Sequence, residues 1–472
     1  MSDDGLAASL EKMRDAGVPE IAARNFSFYY EQLAAGESGF VAEAEIEPAQ
    51  GVPDAGNLPT DRASEAEALN RAVVIKLNGG LGTSMGMTRA KSLLPVKDGL
   101  SFLDITVRQI LALRERHGVR LPLVLMNSFS TREDSLAALR QHPELPSDVP
   151  PDFGQNQEPK IRSEDLRPVE WPADPRLEWC PPGHGDVYTA LLTSGMLGAL
   201  LERGYRYAFI ANADNLGAVL DPRILGWFAR EEMPFLMEVA DRTEADRKGG
   251  HICRDRASGR LLLRESAQTR EEDQDAFQDV ARHGYFNTNN LMVDLETLRA
   301  VMTARDGVLG LPMIRNAKTV DPSDSSSPAV IQLETAMGAA IGVFDGARAV
   351  RVGRERFAPV KTTNDLLVLR SDVYELTEEA RVVVSARRAR RDAPYVDLDP
   401  AYFKLLPHFD ARFADGPPSL VDCERFVVRG DVRFGREVVV RGAVEVAGGD
   451  EEQLPIPDGT ELEGDSAEVE GT

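Results

Sequence analysis

The segment that decides the fold reads Leu77-Asn78-Gly79-Gly80-Leu81-Gly82-Thr83-Ser84-Met85-Gly86-Met87-Thr88-Arg89-Ala90-Lys91-Ser92. It follows the apolar, β-branched run 72–77, which predicts a buried strand. Four glycines between 79 and 86 would let backbone N–H groups approach a ligand with no Cβ in the way. A glycine-rich turn after a strand, with Arg89 and Lys91 just beyond, suits nucleotide phosphates. The spacing matches neither a P-loop nor a clean Gly-x-Gly-x-x-Gly motif, so a flexible hairpin is the alternative at this point.

The composition is that of an acidic globular protein. With 472 residues, the chain is long enough for two or three domains and a large core. A net charge of −23 argues against sequence-independent nucleic-acid binding, which needs a basic surface. The apolar runs are too short for a membrane span, and the acidic N-terminus has no signal-like apolar region. Three widely spaced cysteines predict neither a disulfide framework nor a metal cluster, and they favour the reducing cytoplasm.

Short apolar runs alternate with helical stretches between about residue 72 and residue 352. The runs that we interpret as strands are 73–77, 123–126, 207–211, 235–239 and 291–293. This alternation predicts an α/β fold with a mostly parallel sheet. Ligands of such sheets bind at the carboxyl ends of the strands, where the glycine-rich turn, Asn127 and the stretch 212–215 would all lie.

The sequence after Asp415 has a six-residue period. Phe426, Val432, Val438 and Val444 form one row, and a second row follows two residues later. Two interleaved hexad rows predict a β-helix, in which flat faces stack into a column. Upstream, the basic block 387–391 predicts a solvated helical face that pairs with nearby acids, since polyanion binding is less compatible with so acidic a chain.

Two further motifs place polar groups next to predicted element ends. In Pro181-Pro182-Gly183-His184-Gly185-Asp186, a histidine between glycines would be exposed at a helix N-terminus, and Asp186 would cap that helix. In 212–217, Asp214 at the end of a strand beside a nucleotide would hold Mg²⁺. The structural alternatives are a core histidine and a turn made by Asn and Asp.

Four later segments carry polar groups at the ends of apolar runs. The segments Lys248-Gly249-Gly250, 286–290 and 332–335 offer paired donors and acceptors, which suit sugar hydroxyls. Each could instead be a helix cap or a turn. Lys361 follows a proline-containing apolar segment and is either a surface charge or a second phosphate clamp.

Taken in order, these motifs closely resemble the UTP–glucose-1-phosphate uridylyltransferases, also called UDP-glucose pyrophosphorylases. The resemblance runs from about 73 to 463, and its motifs include LNGGLGTSMG at Leu77, PLVLMNSFST at Pro122, PPGHGD at Pro181, NADNLGA at Asn212, FNTNN at Phe286, VIQLETAMGAAI at Val330 and FAPVKTTNDLL at Phe357. It implies a Rossmann-like, GT-A-like α/β nucleotidyltransferase with a mixed sheet and a small C-terminal left-handed β-helix. The implied division is an N-terminal helical segment 1–60, a catalytic domain 61–370, a helical linker 371–415, the β-helix 416–463 and an acidic tail 464–472.

The resemblance also implies residue roles. Lys91, Lys361 and His184 would be catalytic, and Asp214 would hold Mg²⁺. The nucleotide would be bound by Leu77, Asn78, Gly79, Gly80, Met126, Gln155, Gly185, Asn212 and Asp214. The sugar phosphate would be bound by His184, Lys248, Gly250, Asn287, Asn289 and Glu334. One departure from the family pattern is Thr88-Arg89, where a lysine is usual at the first position, so Arg89 has no implied role.

The implied reaction is reversible, Mg²⁺-dependent transfer of UMP from UTP to glucose 1-phosphate, giving UDP-glucose and pyrophosphate. The attacking phosphate monoester is already ionised at neutral pH, so the absence of a nucleophile–base signature is expected. The alternative within this class is a UDP-N-acetylhexosamine or broad-specificity UDP-sugar pyrophosphorylase. A glycosyltransferase would need an Asp-x-Asp-like pair, which Asn212-Ala213-Asp214 lacks, and the charged set weighs against a silent scaffold. The open end of a short β-helix could join subunits of a homo-oligomer.

Overall fold

The computed structural model describes residues 2–389, 392–448 and 452–464, so most of the predicted acidic tail, 465–472, lies outside the described residues. The α-helices in these ranges are Ser2–Asp15, Glu20–Ala34, Arg62–Asn70, Phe102–His117, Arg132–Leu139, Val187–Thr193, Met196–Glu202, Pro222–Arg230, Gln274–Gln278, Leu295–Ala304, Thr363–Arg370, Pro400–Phe403 and Leu406–Arg412. Over the same ranges, none of the helices has the length and apolar character that a membrane crossing requires.

A large mixed sheet organises the middle of the chain. Its strands are β1 (Ile46–Pro48), β2 (Ala72–Asn78), β3 (Leu123–Asn127), β4 (Asp152–Gly154), β5 (Tyr207–Asn212), β6 (Phe235–Asp241), β7 (His251–Asp255), β8 (Leu261–Arg264), β9 (Tyr285–Asp294) and β10 (Arg348–Arg351). The main path runs β1–β7–β9–β5–β2–β3–β4, while β6 pairs with β9 and β10, and β8 pairs with β7. This mixed α/β architecture is consistent with the implied nucleotidyltransferase fold.

One half of the sheet is parallel and the other is not. Strands β5, β2, β3 and β4 are parallel neighbours, as the apolar runs predicted. Strand β9 runs antiparallel to both β5 and β6, so the prediction of a mostly parallel sheet was wrong for this half. The hairpin β7–β8 comes between β6 and β9 along the chain, and β9 also pairs antiparallel with β7, whereas a parallel pair would need a long crossover connection.

The strands of the parallel half are buried on both faces. Val73 and Ile75 contribute to one apolar core, and Ala72 and Val74 contribute to a second core on the opposite face. All four side chains are at most 1% exposed. Because successive side chains of a strand point to opposite faces, a continuous apolar run fills both cores and leaves only the strand ends for polar chemistry.

The remaining strands form small sheets. They are Pro95–Lys97, Leu100–Ser101, Glu158–Pro159, Ile161–Arg162, Trp179–Cys180, Met313–Thr319, Ala329–Thr335, Tyr374–Leu376, Val382–Val384, Tyr395–Leu398, Cys423–Arg429, Val432–Phe434, Val439–Ala447, Leu454–Ile456 and Glu461–Glu463. The six from Tyr395 onward pair in parallel, and Phe426 lies opposite Val444. The hexad row of Phe426, Val432, Val438 and Val444 is buried, so the six-residue period marks the interior of this parallel assembly.

The segment 371–415, which was predicted to be a helical linker, differs from its prediction. Residues 371–415 begin with an antiparallel strand pair, continue through the strand Tyr395–Leu398 and end in two short helices between 400 and 412, so only the last part is helical. Arg388 is buried rather than solvated, and it donates hydrogen bonds to the carbonyls of Leu420, Val421 and Cys423. The guanidinium therefore satisfies the chain entering the C-terminal strands, a contact that its local sequence does not reveal. Arg390 and Arg391 lie outside the described residues.

Candidate active site

The glycine-rich loop begins where β2 ends. Gly82 and Gly86 have φ of 66° and 73°, a left-handed conformation that glycine adopts without strain. The loop then returns on itself, because the backbone N–H of Lys91 donates to the carbonyl of Gly80 at 3.0 Å. Arg89, by contrast, forms an exposed ion pair with Asp134, with Nε and Oδ2 3.2 Å apart. Lys91, not Arg89, is therefore the cation that folds back onto the glycines.

A buried amide network joins the ends of β2 and β3. Asn78 Nδ2 donates to Asn127 Oδ1 and to Ser135 Oγ, both at 2.7 Å, and Asn127 Nδ2 donates to Asp152. Asn78 and Met126 are each 2% exposed. Their side chains thus hold the floor of the site in place, and the loop backbone is the part that remains available to a ligand.

Gln155 connects this floor to the loop that contains His184. Its backbone N–H donates to the carbonyl of Asn127 at 2.8 Å, and its Nε2 donates to the carbonyl of Gly183 at 2.9 Å. A Cβ on Gly79 would lie 2.9 Å from Gln155 Oε1. The predicted nucleotide residues Gly79 and Gln155 therefore lie side by side, and Gln155 is tied to the loop that carries Gly185.

His184 is held as a neutral imidazole. Its Nδ1 accepts a hydrogen bond from the backbone N–H of Met337 at 3.0 Å, and burial lowers the pKa of His184 to about 4. A neutral ring that accepts at Nδ1 carries its proton on Nε2, which leaves an N–H donor for an anion. The predicted cap by Asp186 is wrong, because its carboxylate accepts from the backbone N–H and the side-chain amide of Asn156. Burial raises the pKa of Asp186 to about 7.

Lys91 and Asp214 meet at the centre of the site. The Lys91 ammonium lies 2.6 Å from Asp214 Oδ2, and these side chains are 16% and 24% exposed. Asn212 is paired with Leu77 in the parallel register of β5 and β2, and the Ala213 N–H donates to the Leu77 carbonyl at 3.1 Å. The loops after two adjacent strands thus bring together a cation for phosphate and a carboxylate.

The donor set at Asp214 fits magnesium bound together with phosphates. No cluster of three or more metal-binding side chains occurs in the part of the chain that the structure describes. Mg²⁺ on nucleotide phosphates is usually held by one or two carboxylates, with phosphate and water oxygens completing the shell. The accessible carboxylate of Asp214 meets that requirement.

A buried ionic network that sequence reasoning missed lies behind this loop. Lys76 donates to the carbonyl of Ala218 at 2.8 Å, and burial lowers its pKa to about 7. Arg356 forms a fully enclosed ion pair with Glu238 at 2.6 Å, and Asn215 donates to the Arg356 carbonyl. The available signal was a charged residue inside each of two apolar strand runs, Lys76 in β2 and Glu238 in β6.

Three of the predicted sugar residues, Gly250, Asn287 and Asn289, form a second group near the start of β9. The N–H of Asn287 donates to the carbonyl of Gly250 at 3.1 Å, and its amide donates to Asn289 Oδ1 at 2.8 Å. Asn289 adopts a φ of 58°, which asparagine tolerates better than most residues. Glu334 lies instead against the loop that carries His184, since a Cβ on Gly183 would lie 3.0 Å from the Cβ of Glu334, and Glu334 Oε1 accepts from Asn316 Nδ2 at 2.8 Å.

Lys361 and Lys248 stay apart from this hydrogen-bonded set. Both are exposed, and within the described residues neither ammonium has a hydrogen bond or ion pair. Lys361 has its backbone fixed, because its N–H and that of Thr362 donate to Asp365 at 2.8 Å. The Lys361 ammonium can therefore move to an incoming anion from a fixed base.

Glu265 is a further residue of the site that sequence reasoning missed. A Cβ on Gly250 would lie 2.6 Å from the carboxyl carbon of Glu265, so Gly250 packs against this carboxylate. Burial raises the pKa of Glu265, and the nearby charge of Lys361 opposes that shift. The carboxylate thus packs against Gly250 and is close enough to Lys361 to be influenced by its charge. Its only sequence signal was an acid placed directly after the strand Leu261–Arg264.

With this geometry established, comparisons with known proteins identify the family. A model of the UTP–glucose-1-phosphate uridylyltransferase family matches residues 23–441. The chain is 41% identical over 403 residues to the UTP–glucose-1-phosphate uridylyltransferase of Solanum tuberosum, covering 85% of this chain and 82% of the relative. It is 39% identical over 413 residues to a probable UTP–glucose-1-phosphate uridylyltransferase of Schizosaccharomyces pombe, covering 87% and 79%.

Comparison with solved structures points to the same family. A Leishmania major UDP-glucose pyrophosphorylase variant in complex with UDP-glucose superposes with a TM-score of 0.91 at 44% identity, covering 98% of this chain and 99% of that one. A UDP-glucose phosphorylase from Trypanosoma brucei gives a TM-score of 0.91 at 46% identity, covering 99% and 100%. The chain therefore belongs to the UTP–glucose-1-phosphate uridylyltransferase family.

Proposed function

We propose that this protein transfers a uridylyl group reversibly between UTP and glucose 1-phosphate, giving UDP-glucose and pyrophosphate. The observation that carries this proposal is the Lys91–Asp214 pair beside a glycine loop at the carboxyl edge of β2 and β5. The sugar-phosphate oxygen attacks the α-phosphate of UTP and is already ionised at neutral pH. The task of the site is therefore to bring two polyanions together, and a general base is not required.

The proposed roles follow from charge and donor chemistry. Lys91 and Lys361 offset the negative charge of the phosphates, and His184 donates from Nε2 to the sugar phosphate. Asp214, with Asn212 nearby, would hold Mg²⁺, which supplies further charge neutralisation on the phosphates when bound. Leu77, Asn78, Gly79, Gly80, Met126, Gln155 and Gly185 form the nucleotide side.

The sugar side consists of Lys248, Gly250, Asn287, Asn289 and Glu334, to which we add Glu265. Their amide and carboxylate groups suit the hydroxyls of an unmodified hexose. A UDP-N-acetylhexosamine or broad-specificity pyrophosphorylase is the second candidate, because the same groups could also face a substituted sugar.

The decisive experiment is an assay of pyrophosphate release from UTP with a panel of sugar 1-phosphates, with and without Mg²⁺. We expect rapid release with glucose 1-phosphate and loss of activity when the metal is chelated and restored by Mg²⁺ addition. Higher kcat/KM with N-acetylglucosamine 1-phosphate would favour the second candidate. Absence of release with every sugar phosphate would refute the proposed function.

Several finer features of the assembly are also proposals. The hexad period and the 18-residue offset between Phe426 and Val444, three hexads, support a left-handed β-helix at 416–463. The division at residues 60, 370 and 415 stays a prediction, as does a homo-oligomer formed through the β-helix, which light scattering would test. The three unpaired, buried cysteines support the predicted cytoplasmic location.

A further inference from the structure

We propose that Arg242 is a positioning residue that holds the loop 243–250 in the shape needed to bind the sugar phosphate. This inference rests on the proposed function, because that function assigns Lys248 and Gly250 of this loop to the sugar side. Arg242 itself follows β6 and is 7% exposed, so it acts from behind the loop rather than on the substrate.

The geometry is that of a four-point clamp. Arg242 Nη2 donates to the carbonyls of Asp246 and Arg247 at 3.2 and 2.9 Å, and both carbonyls belong to the loop. Arg242 Nη1 donates to the carbonyls of Phe277 and His283 at 2.9 and 3.2 Å, in a separate segment. One planar guanidinium therefore ties the loop to the segment 277–283, a connection that a single ammonium cannot reproduce with the same geometry.

The surroundings of Arg242 make the burial of its charge energetically unfavourable. Within the described ranges, Arg242 has no ion-pair partner, and its Nε has no hydrogen-bond partner. Burial accordingly lowers the pKa of Arg242. Neutral carbonyls and the face of Phe277 contact the guanidinium, and the carboxylates of Asp246 and Asp279 favour its charge only from a distance. Burying a charge without a paired carboxylate is unfavourable, so the position is better explained by what the clamp holds than by stability.

The clamped loop connects directly to the site. The carbonyl of Gly250 accepts the Asn287 N–H at 3.1 Å, and Gly250 packs against the carboxylate of Glu265. Within the loop, the Gly249 N–H donates to the Asp246 carbonyl at 2.8 Å, one of the two carbonyls that Arg242 holds. A displacement at Asp246 would therefore reach Gly250 within four residues, whereas Lys91 and Asp214 lie on other elements.

The test compares Arg242→Met, which keeps an apolar stem, and Arg242→Lys, which keeps the charge, with wild type. Arg256→Gln is the matched control, because the exposed Arg256 side chain pairs with Glu47, which is also half-exposed, and among the described residues it forms no hydrogen bond or ion pair with the loop 243–250. Because a displacement of about 1 Å can cost ~10²-fold in rate, we expect the Met variant to lose about 10- to 100-fold in kcat/KM for glucose 1-phosphate. KM for UTP should change less than twofold, and the Lys variant should lose less than the Met variant.

A second readout is independent of catalysis. Hydrogen exchange of the unliganded protein should become faster in 243–250 of Arg242→Met, while 77–91 keeps its protection. The inference is overturned if both substrates are affected equally, if exchange rises throughout the molecule, or if the Met variant behaves as wild type. If Arg242→Met does not fold, the inference is tested by the same hydrogen-exchange comparison on Arg242→Lys. A wild type without uridylyltransferase activity would refute the proposed function, whereas the exchange result would still test the clamp.

Discussion

Gly185→Ala is the substitution for which the structure gives the sharpest expectation. A Cβ on Gly185 would lie 2.8 Å from the Cβ of Thr335 and 2.9 Å from Cδ1 of Leu311. Ordinary van der Waals contact begins at 3.4 Å, so the contact with the Thr335 Cβ alone requires a shift of about 0.6 Å, the difference between 3.4 and 2.8 Å. Thr335 Oγ1 would lie closer still, so this hydroxyl must rotate away or the shift must be larger. Both neighbours are buried, and the Thr335 N–H donates to the carbonyl of Pro182 in the loop that carries His184, so a shift at Thr335 or at Gly185 disturbs that loop.

The magnitude follows from that displacement. Overpacking of this kind costs about 1–3 kcal/mol of stability, which a large domain can tolerate. A misplacement approaching 1 Å near reacting groups can cost ~10²-fold in rate. We therefore expect Gly185→Ala to fold, to melt a few degrees lower, and to lose about 10- to 100-fold in kcat/KM for both UTP and glucose 1-phosphate, because the loop serves both substrates.

The matched control is Gly198→Ala, in the helix Met196–Glu202, where a new Cβ would have no atom within 4 Å. That variant should be as active as wild type and slightly more stable, since alanine is favoured over glycine in a helix. Pyrophosphate release and thermal melting of both variants provide the measurements. Near-normal kcat/KM of Gly185→Ala would refute the packing argument, and an equal loss in Gly198→Ala would show that the effect is not local.

Three further predictions concern Lys361, Lys76 and His184, which are titratable side chains. Lys361→Ala should lower turnover by ~10²–10³-fold with an unchanged melting temperature, because its ammonium is exposed and has no partner among the described residues; near-normal activity at saturating substrate would contradict this. Lys76→Met should raise the free energy of unfolding, measured by urea denaturation, at pH 6–7. This gain should shrink between about pH 7 and the ordinary lysine pKa of 10.5, because Lys76 of the folded wild type is already neutral there while the unfolded lysine is still charged. A gain that does not change with pH would exclude this cause. Because the pKa of His184 is about 4 in the folded state, between pH 4 and 6.5 only the unfolded state binds a proton at this histidine. The free energy of unfolding of the wild type should therefore rise with pH across that range more steeply than that of His184→Gln. Equal pH slopes of the two proteins would disprove this expectation.

The parallel half of the sheet could be predicted from sequence because its signals are local. The runs 73–77, 123–126 and 207–211 are apolar on both faces, and polar residues begin where each strand ends. Because parallel strands bring those ends to one edge, the clustering of Gly79, Asn127 and Asp214 follows from strand order alone. The motif resemblance added residues such as Gln155, whose position beside Gly79 depends on how a later loop packs.

The missed features depend on contacts between distant parts of the chain. The antiparallel course of β9 appears in its pairing with β5, β6 and β7, which a strand pattern alone does not orient. Asp186 has the sequence position of a helix cap, yet the Asn156 backbone N–H and amide, 30 residues earlier, take its carboxylate. Arg388 likewise finds carbonyls more than 30 residues away. Side-chain partners at such separations follow from tertiary packing, and a propensity argument has no access to them.

The ion pair of Lys91 and Asp214 explains how so acidic a protein can keep a site for polyanions. At 2.6 Å the two charges neutralise each other, so a cation and a carboxylate coexist in a partly buried cleft without a net charge to desolvate. In the proposed reaction, an incoming nucleotide with its magnesium offers each group a new partner of opposite sign, phosphate for Lys91 and metal for Asp214. The Lys91–Asp214 ion pair is then replaced by a Lys91–phosphate pair and an Asp214–metal pair, so neither charge is left buried without a partner. Asp214→Asn should therefore weaken binding of the metal-bound nucleotide more than binding of UTP alone. Equal losses for the two forms, measured by calorimetry, would show that Asp214 serves only to hold Lys91.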